Sequence, residues 1–250
     1  MNKRRSFITG IKSTSLSIKE KIFINKYKPW GIILFSRNIK SLSQTKKLTS
    51  EIRKIFNDIN YPILIDQEGG RVNRLRNFIN SDVLTGEYFG KLYKKDLKKF
   101  NHYFKIFINK TSYLLRLIGV NVNTVPVLDL RIKGSSNIIG DRAFSNNPNF
   151  VSKIGDICIK NFHKNNIGTV IKHIPGHGLA KVDSHKSTPI VKTKLKKLKC
   201  NDFRAFKNKK TFLAMTAHII FKDIDPINTA THSKKIIDLI RRSIKFNNLL

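Results

Sequence analysis

The chain has 250 residues, of which 40% are hydrophobic and 10% aromatic, so it can bury a sizeable core and is not a disordered polypeptide. Lys and Arg total 49 against 16 Asp and Glu, a formal net charge of +33. The basic residues are spread along the whole length without zinc-finger spacing or an RNP aromatic pair, which excludes the recognisable nucleic-acid-binding modules.

Five short apolar runs rich in β-branched residues predict β-strands. They lack strict alternation of apolar and polar residues, which is typical of strands buried on both faces of a parallel sheet. The runs are residues 31–35, 62–66, 120–129, 168–173 and 211–218. The first ten residues have a basic start with no apolar run after it, so we expect no secretory signal.

Amphipathic helical stretches separate these runs, with apolar residues every three or four positions. The stretches are residues 43–56, 97–118, 150–163 and 233–244. Ser233 is a candidate N-cap for the last of them. Strands that alternate with helices indicate βαβ units and a parallel sheet. Because no linker, low-complexity tract or internal repeat interrupts the pattern, residues 1–250 are expected to form one domain.

Polar residues stand at the C-terminal ends of the predicted strands: Ser36, Asp66, Asp129, His173 and His218. In a (β/α)8 barrel the active-site loops gather at that end. A doubly wound sheet also binds ligands there, but it more often has a glycine-rich phosphate turn after its first strand. The residues Phe-Ser-Arg-Asn-Ile after the first predicted strand are not such a turn. The sequence therefore predicts an α/β fold of the TIM-type (β/α)8 barrel.

The motif DQEGGR, from Asp66 to Arg71, follows the second predicted strand. Its two carboxylates could accept hydrogen bonds from sugar hydroxyls, since each carboxylate oxygen accepts two. Arg71 or Arg74 could clamp a hydroxyl or a carboxylate of a substrate. The alternative is a charged turn in which Glu68 pairs with Arg71.

A second acidic–basic pair, Asp141 and Arg142, lies in a loop after the third predicted strand. Such a pair is commonly a salt bridge that fastens a loop. Its place at the end of the barrel where active-site loops gather favours a ligand-binding role instead. Both interpretations stay open at this point.

Three histidines and an acid follow the fourth predicted strand, in the motifs KHIPGHG and DSH. His173 and His177 have the spacing of a helical zinc pair, but the proline and glycine between them would break a helix, so we expect no metal. Asp183 and His185 are two residues apart, and in an extended loop their side chains point the same way. The carboxylate can then hold one ring nitrogen while the other exchanges a proton.

Seven motifs, taken in order, resemble those of family 3 glycoside hydrolases. They are GIILFSRNI, ILIDQEGGRVNRL, VPVLDL, IIGDRAF, IKHIPGHG, DSH and AMTAHI, and the resemblance runs from about Phe7 to Leu250. KHIPGHG followed by DSH is specific to the bacterial β-N-acetylglucosaminidases of peptidoglycan recycling (NagZ type). The resemblance implies removal of a terminal β-linked N-acetylglucosamine, typically from anhydromuramyl-peptide fragments, with retention and through a glycosyl-enzyme intermediate.

The resemblance also implies roles for individual residues and no cofactor. His185 matches the catalytic acid/base of this branch, and Asp183 matches its partner. The sugar-binding positions match Asp66, Arg74, Arg142, Lys172 and His173. A retaining glycosidase usually works with two carboxyl groups. This branch replaces the acid/base carboxyl with the His–Asp pair, so the protonated acid is a cation that titrates near neutral pH.

The sequence departs from the family at the nucleophile, an aspartate in a Ser-Asp-Asp motif on the sixth strand. These 250 residues contain no Ser-Asp-Asp triplet, and they end on the first apolar residues of the segment that resembles that strand. We therefore expect a barrel truncated after about five strands and the start of the sixth, with an exposed edge and an uncovered apolar interior. Retaining hydrolysis by these residues is expected to fail.

Three functions compete on this basis. The first is a monomeric, cytoplasmic β-N-acetylhexosaminidase that acts on N-acetylglucosamine-containing muropeptide fragments. Cys158 and Cys200 form neither a disulfide framework nor a metal-spaced pair, which suits a reducing compartment. The second is a catalytically inactive truncated homologue that at most binds sugar. The third is a polyanion-binding protein, for which only the charge argues. Drift towards A- and T-rich codons explains that charge better, so we expect no specific nucleic-acid partner and no membrane partner.

Overall fold

A computed structural model describes residues 4–182 and 187–250. The predicted acid/base pair, Asp183 and His185, lies outside the described residues. The strands of the described ranges are β1 (Arg5–Gly10), β2 (Pro29–Leu34), β3 (Ile63–Ile65), β4 (Val122–Asn123), β5 (Gly168–Ile174), β6 (Ile190–Val191), β7 (Leu213–Thr216) and β8 (Ile220–Phe221).

The α-helices lie between these strands, and most begin at a residue whose side chain caps the first turn. They are α1 (Ile18–Tyr27), α2 (Leu42–Phe56), α3 (Gly86–Lys95), α4 (Leu97–Leu117), α5 (Pro148–Lys164), α6 (Leu195–Cys200) and α7 (Lys234–Leu239). Ser17 and Glu20 form a capping box at α1. The Ser233 side chain accepts the N–H of Ile236, which confirms the predicted N-cap of α7. Among the described residues, no helix combines the length and apolar character needed to cross a membrane.

Six strands form one parallel sheet whose spatial order follows the chain: β1-β2-β3-β4-β5-β7. Ile32 of β2 lies opposite Ile63 of β3, and Leu64 of β3 opposite Val122 of β4. β6 and β8 form a separate parallel pair. Parallel strands that succeed one another with helices between them are the arrangement of a (β/α)8 barrel, so the predicted fold class is confirmed.

All five predicted strands are present, while β1, β6 and β8 are not predicted from the sequence. β1 lies at the edge of the sheet and is largely exposed, so Phe7 and Ile8 give it only a short apolar signal. At the other end, Leu249 forms a parallel bridge with Leu213 of β7. The predicted strand start at residues 249–250 therefore occupies the seventh place in the sheet rather than the sixth.

The third predicted strand, residues 120–129, is much shorter than the sequence pattern suggests. Only Val122–Asn123 pairs as β4, because Pro126 has no N–H to donate to a ladder. Val127 keeps one isolated bridge to Lys172. The rest of the run becomes the loop that carries Asp129 to the C-terminal edge of the sheet.

Apolar side chains cover both faces of the sheet, which explains why its strands do not alternate. The outer face packs under the helices, where aromatic rings gather between α3 and α4, with the Phe89 and Phe104 centroids 4.7 Å apart. A smaller cluster of Leu64, Val122 and Val170 forms the inner face. Trp30 packs against that inner cluster.

Gly90 of α3 touches the backbone of the loop that carries Arg142. A Cβ built on Gly90 would lie 1.6 Å from the carbonyl oxygen of Phe144. The helix and the loop are therefore in direct backbone contact, and a larger residue fits only if the loop moves.

Gly90→Ala should destabilise the fold by roughly 1–3 kcal/mol, because the cost of overpacking exceeds the helix propensity that alanine gains. In a chain of this size the melting temperature should fall by several degrees, measured by circular dichroism. Lys94→Ala, on the exposed side of the same helix, is the control and should change it little. A Gly90→Ala variant that melts at or above the wild-type temperature would contradict the direct contact.

Candidate active site

Gln67 fastens the loop that follows β3. Its side-chain oxygen accepts the N–H groups of Arg74 at 2.8 Å and Leu75 at 3.1 Å. Its backbone exchanges two hydrogen bonds with the Asn123 side chain, at 2.9 and 2.8 Å. The loop therefore returns on itself, and the Arg74 guanidinium lies 3.7 Å from the Asp66 carboxylate.

Lys172 of β5 is a buried cation between two carboxylates. Its Nζ lies 2.9 Å from Asp66 Oδ1, 2.6 Å from Glu68 Oε1 and 3.1 Å from Thr124 Oγ1, and its side chain is 2% exposed. The Thr124 hydroxyl also donates to Asp66. Three successive strands thus meet at one ammonium group.

Arg142 extends this network by a two-pronged ion pair. Its Nε and Nη2 each lie 2.8 Å from a carboxylate oxygen of Glu68. The alternative interpretation of the sequence, in which Glu68 pairs with Arg71, is therefore wrong. Arg71 instead bonds Asp141 at 2.9 Å. Of the two neighbours Asp141 and Arg142, Asp141 therefore forms a salt bridge that fastens a loop, whereas Arg142 faces the pocket.

Both carboxylates of the network are held ionised. Burial alone would raise the pKa of Glu68, but the charge of Lys172 and the hydrogen bonds from Arg142 outweigh burial and lower it to about 2. Burial acts in the same way on Asp66, and Lys172 with Thr124 again brings the pKa below its ordinary value. The network is therefore a set of fixed charges at neutral pH.

Asp129 orients the turn that follows β5. Its carboxylate accepts one hydrogen bond from ring Nδ1 of His173 at 2.6 Å and another from the backbone N–H of His177 at 2.7 Å. Burial would raise the pKa of Asp129, but His173 and the hydrogen bonds lower it below its ordinary value. Because an ionised carboxylate can only accept, Nδ1 of His173 carries the proton, and Nε2 is left as an acceptor in the neutral ring.

One pocket of about 380 Å³ at the C-terminal ends of β3, β5 and β7 brings together all five predicted sugar-binding residues. They are Asp66, Arg74, Arg142, Lys172 and His173. Apolar walls come from Val72, Ile138, Ile139 and Met215. Carboxylate acceptors beside guanidinium and ammonium donors suit a ligand rich in hydroxyl groups. In the part of the chain that the structure describes, no group of three or more His, Cys, Asp or Glu could hold a metal ion.

Two further acids support the pocket without a role predicted from the sequence. Asp129 stands at a predicted strand end, so its position gave a signal. Asp202 gave none, and it lies under the KHIPGHG turn: a Cβ built on Gly178 would be 3.1 Å from Asp202 Oδ1. Burial, together with the charge of Asp129, raises the pKa of Asp202 to about 7. Among the described residues, Oδ1 of Asp202 has no hydrogen-bond partner.

The sequence and the structure are similar to known glycoside hydrolases. The sequence-family model described as the glycosyl hydrolase family 3 N-terminal domain matches residues 10–250. A β-hexosaminidase of Idiomarina loihiensis is 30% identical over 248 residues, which cover 96% of this chain and 72% of that protein. A β-hexosaminidase of Nitrosomonas eutropha is also 30% identical, over 96% of this chain and 69% of its own length.

Solved structures of similar enzymes also superpose on this chain. NagZ from Neisseria gonorrhoeae in complex with N-trifluoroacetyl-D-glucosamine superposes with a TM-score of 0.90 at 28% identity, over 98% of this chain and 73% of that one. A family 3 β-N-acetylglucosaminidase from Paenibacillus superposes with a TM-score of 0.85 at 26% identity, over 97% of this chain and 47% of that one. The chain thus spans about 70% of the length of its first curated relatives.

Asp202→Asn should change how stability depends on pH. The pKa of Asp202 is about 7 in the folded chain against 3.8 as an ordinary value, so between these pH values the unfolded state releases the proton first. Wild-type stability should fall as pH rises through this window, by up to about 4 kcal/mol, and no further above it. The Asp202→Asn variant has no ionisable group at this position, so its stability does not fall in this way.

The readout is the difference in melting temperature between Asp202→Asn and wild type, measured from pH 4 to pH 8. It should grow in favour of the variant as pH rises, whatever constant cost the amide has. Asp82→Asn, in an exposed pair with Arg76, is the control and should show a flat difference. A flat difference for Asp202→Asn would contradict the protonated carboxyl.

Proposed function

The chain belongs to glycoside hydrolase family 3, and we propose that its pocket binds a terminal β-linked N-acetylglucosamine, as a β-N-acetylhexosaminidase does. The natural ligand would be a muropeptide fragment in the cytoplasm, in the recycling of peptidoglycan. The observation that carries the proposal is the network in which Lys172 joins Asp66 to Glu68 and Arg142. It lines one pocket with every residue that the family motifs assign to the sugar.

The sugar's hydroxyl groups find free acceptors in this network. Oδ1 of Asp66 is occupied by Lys172 and Thr124, while among the residues that the structure describes Oδ2 has only the Arg74 guanidinium at 3.7 Å. Oδ2 can therefore accept hydroxyl groups of a sugar ring, since a carboxylate oxygen has two acceptor sites. In the neutral form of His173, Nε2 would offer a further acceptor at the pocket, because Nδ1 is hydrogen-bonded to Asp129.

Proton transfer is assigned to His185, oriented by Asp183. Both residues lie outside the described part of the chain, so this assignment depends on the DSH motif. The imidazolium would protonate the leaving glycosidic oxygen, and the neutral ring would later take a proton from water. A retaining reaction also needs a nucleophile, and no Ser-Asp-Asp triplet occurs in these 250 residues.

Sugar binding without hydrolysis is the second candidate function, because the five sugar-binding positions line one pocket among the described residues, which do not include Asp183 or His185. The binding pocket and the chemistry draw on different residues, so one can persist without the other. The two candidates make the same prediction for binding and opposite predictions for turnover.

Asp66→Asn should weaken binding of N-acetylglucosamine to the 250-residue chain by about tenfold or more. The change removes a charge-assisted acceptor at the sugar and leaves the Lys172 ammonium with one carboxylate. Titration calorimetry or ligand-observed NMR measures the affinity. Asp238→Asn, on α7 and away from the pocket, is the matched control with the same change of charge and should bind like wild type. Equal affinity in all three chains would contradict the assigned pocket.

Turnover is tested with a fluorogenic aryl β-N-acetylglucosaminide. The 250-residue chain should release no more fluorophore than its His185→Ala variant, because no nucleophile is assigned among its residues. Turnover that disappears in His185→Ala would instead establish the hexosaminidase and contradict the binding-only candidate. A chain that neither binds N-acetylglucosamine nor turns over the glycoside would refute both.

A further inference from the structure

Helix α4 carries a second apolar row on the face that points away from the sheet. Its inner face buries Phe100, Phe104, Phe107, Ile108 and Leu115. The outer row follows at alternating spacings of four and three residues: Lys99, Tyr103, Ile106, Lys110, Tyr113 and Leu117. Its four apolar or aromatic members are 48%, 39%, 56% and 37% exposed, in that order. A surface helix normally presents polar residues here, so this alignment of apolar side chains calls for a contact.

Positive charge predominates in the segment that contains the outer row. Between Lys91 and Arg116 the sequence has eight Lys and Arg residues and a single acid, Asp96. Asp96 is occupied as the N-cap of α4, where it accepts the N–H of Lys99 at 2.9 Å. The 21 residues of α4 contain no acid. A partner on this face therefore meets exposed apolar groups flanked by cations.

A groove lies beside the C-terminal half of the outer row. It has a volume of about 490 Å³ and is lined by Phe78, Ile79, Asn109, Lys110, Tyr113 and Leu114. Four of these six side chains are apolar or aromatic. An apolar groove that adjoins a lysine can take a hydrocarbon group whose head is anionic.

We propose that the outer row of α4 docks on an anionic lipid surface. A second copy of the chain is a poor occupant, because its own charge of +33 would repel this face. Tyrosine rings suit the boundary between headgroups and acyl chains, since each has an apolar body and a polar end. Lysines at the same level bury their aliphatic stems and extend their ammonium groups to lipid phosphates.

The alignment distinguishes this face from the general basicity of the chain. A drift in codon usage raises Lys and Ile throughout a sequence, but it does not place Tyr103, Ile106 and Tyr113 in one outward row. From the sequence we expect no membrane partner, because the basic residues are spread along its whole length. The fold places Lys99 and Lys110 in the same exposed row as these side chains, on a helix without an acid. Docking of this kind lays the helix along the membrane and does not require it to cross.

The test measures flotation of the 250-residue chain with vesicles of equal parts phosphatidylglycerol and phosphatidylcholine, against pure phosphatidylcholine. The chain should bind only the anionic vesicles. The variant Tyr103→Ser/Ile106→Ser/Tyr113→Ser keeps the net charge and should partition about tenfold more weakly. Ile227→Ser removes a side chain that is 79% exposed elsewhere and should bind like wild type. All these positions are exposed, and circular dichroism checks that each variant keeps its fold.

A second pair of variants separates the face from the total charge. Lys99→Gln/Lys110→Gln and Lys234→Gln/Lys235→Gln remove the same two charges, from the outer row and from α7. The first pair should weaken binding about tenfold or more, and the second less than twofold. Equal loss in the two pairs would mean that total charge alone drives binding, which overturns the proposal.

Two other results also overturn it. One is the absence of binding to anionic vesicles at low salt. The other is vesicle binding that the triple serine variant retains while it loses binding to a single-stranded oligonucleotide. That outcome assigns the outer row to nucleic acid, for which stacking on tyrosines beside lysines is the expected mode.

Discussion

The pocket depends on one buried ammonium group, that of Lys172. It compensates two carboxylates from the loop after β3, and through Glu68 it also fixes Arg142, which belongs to a loop after β4. Burying these charges costs desolvation energy that their mutual attraction only partly recovers, so the network is a poor source of stability. What it provides is geometry: removing any one charge leaves the remaining buried charges unbalanced, so the side chains are confined to one arrangement.

The parallel sheet makes this arrangement possible. Lys172 lies on β5 and reaches Asp66, which follows β3, by passing the end of β4, where Thr124 bonds both. The long, unbranched Lys172 side chain and the Asp66 side chain together cross two inter-strand spacings of roughly 5 Å each. The loops above the sheet are held just as tightly, since Gly90 and Gly178 allow backbone to lie against backbone.

The sequence predicts the parts of this site that local pattern encodes. The buried strands, the long helices and the pocket residues all sit in motifs that can be read along the chain. Pairing between charges is different, because Glu68 finds Arg142 rather than Arg71 only once two distant loops meet. Asp202 is hidden for the same reason: nothing in its neighbours along the chain indicates burial beneath the turn after β5. The edge strand β1 is missed because a half-exposed strand lacks the apolar run that marks its neighbours.

The arrangement of charged groups around the turn after β5 suits a neutral ligand. Asp129 is ionised because His173 and the His177 backbone satisfy it, whereas Asp202, beside the same charge and without a cation among the described residues, keeps its proton to about pH 7. A second anion would otherwise compete with Asp129 for the turn that presents His173. Each charge that lines the pocket from Asp66, Glu68, Arg142 and Lys172 already has its counter-charge within 3 Å. A ligand made of hydroxyl and amide groups can therefore exchange water for protein hydrogen bonds without adding an unpaired charge, whereas a charged ring substituent would have to disrupt an existing pair.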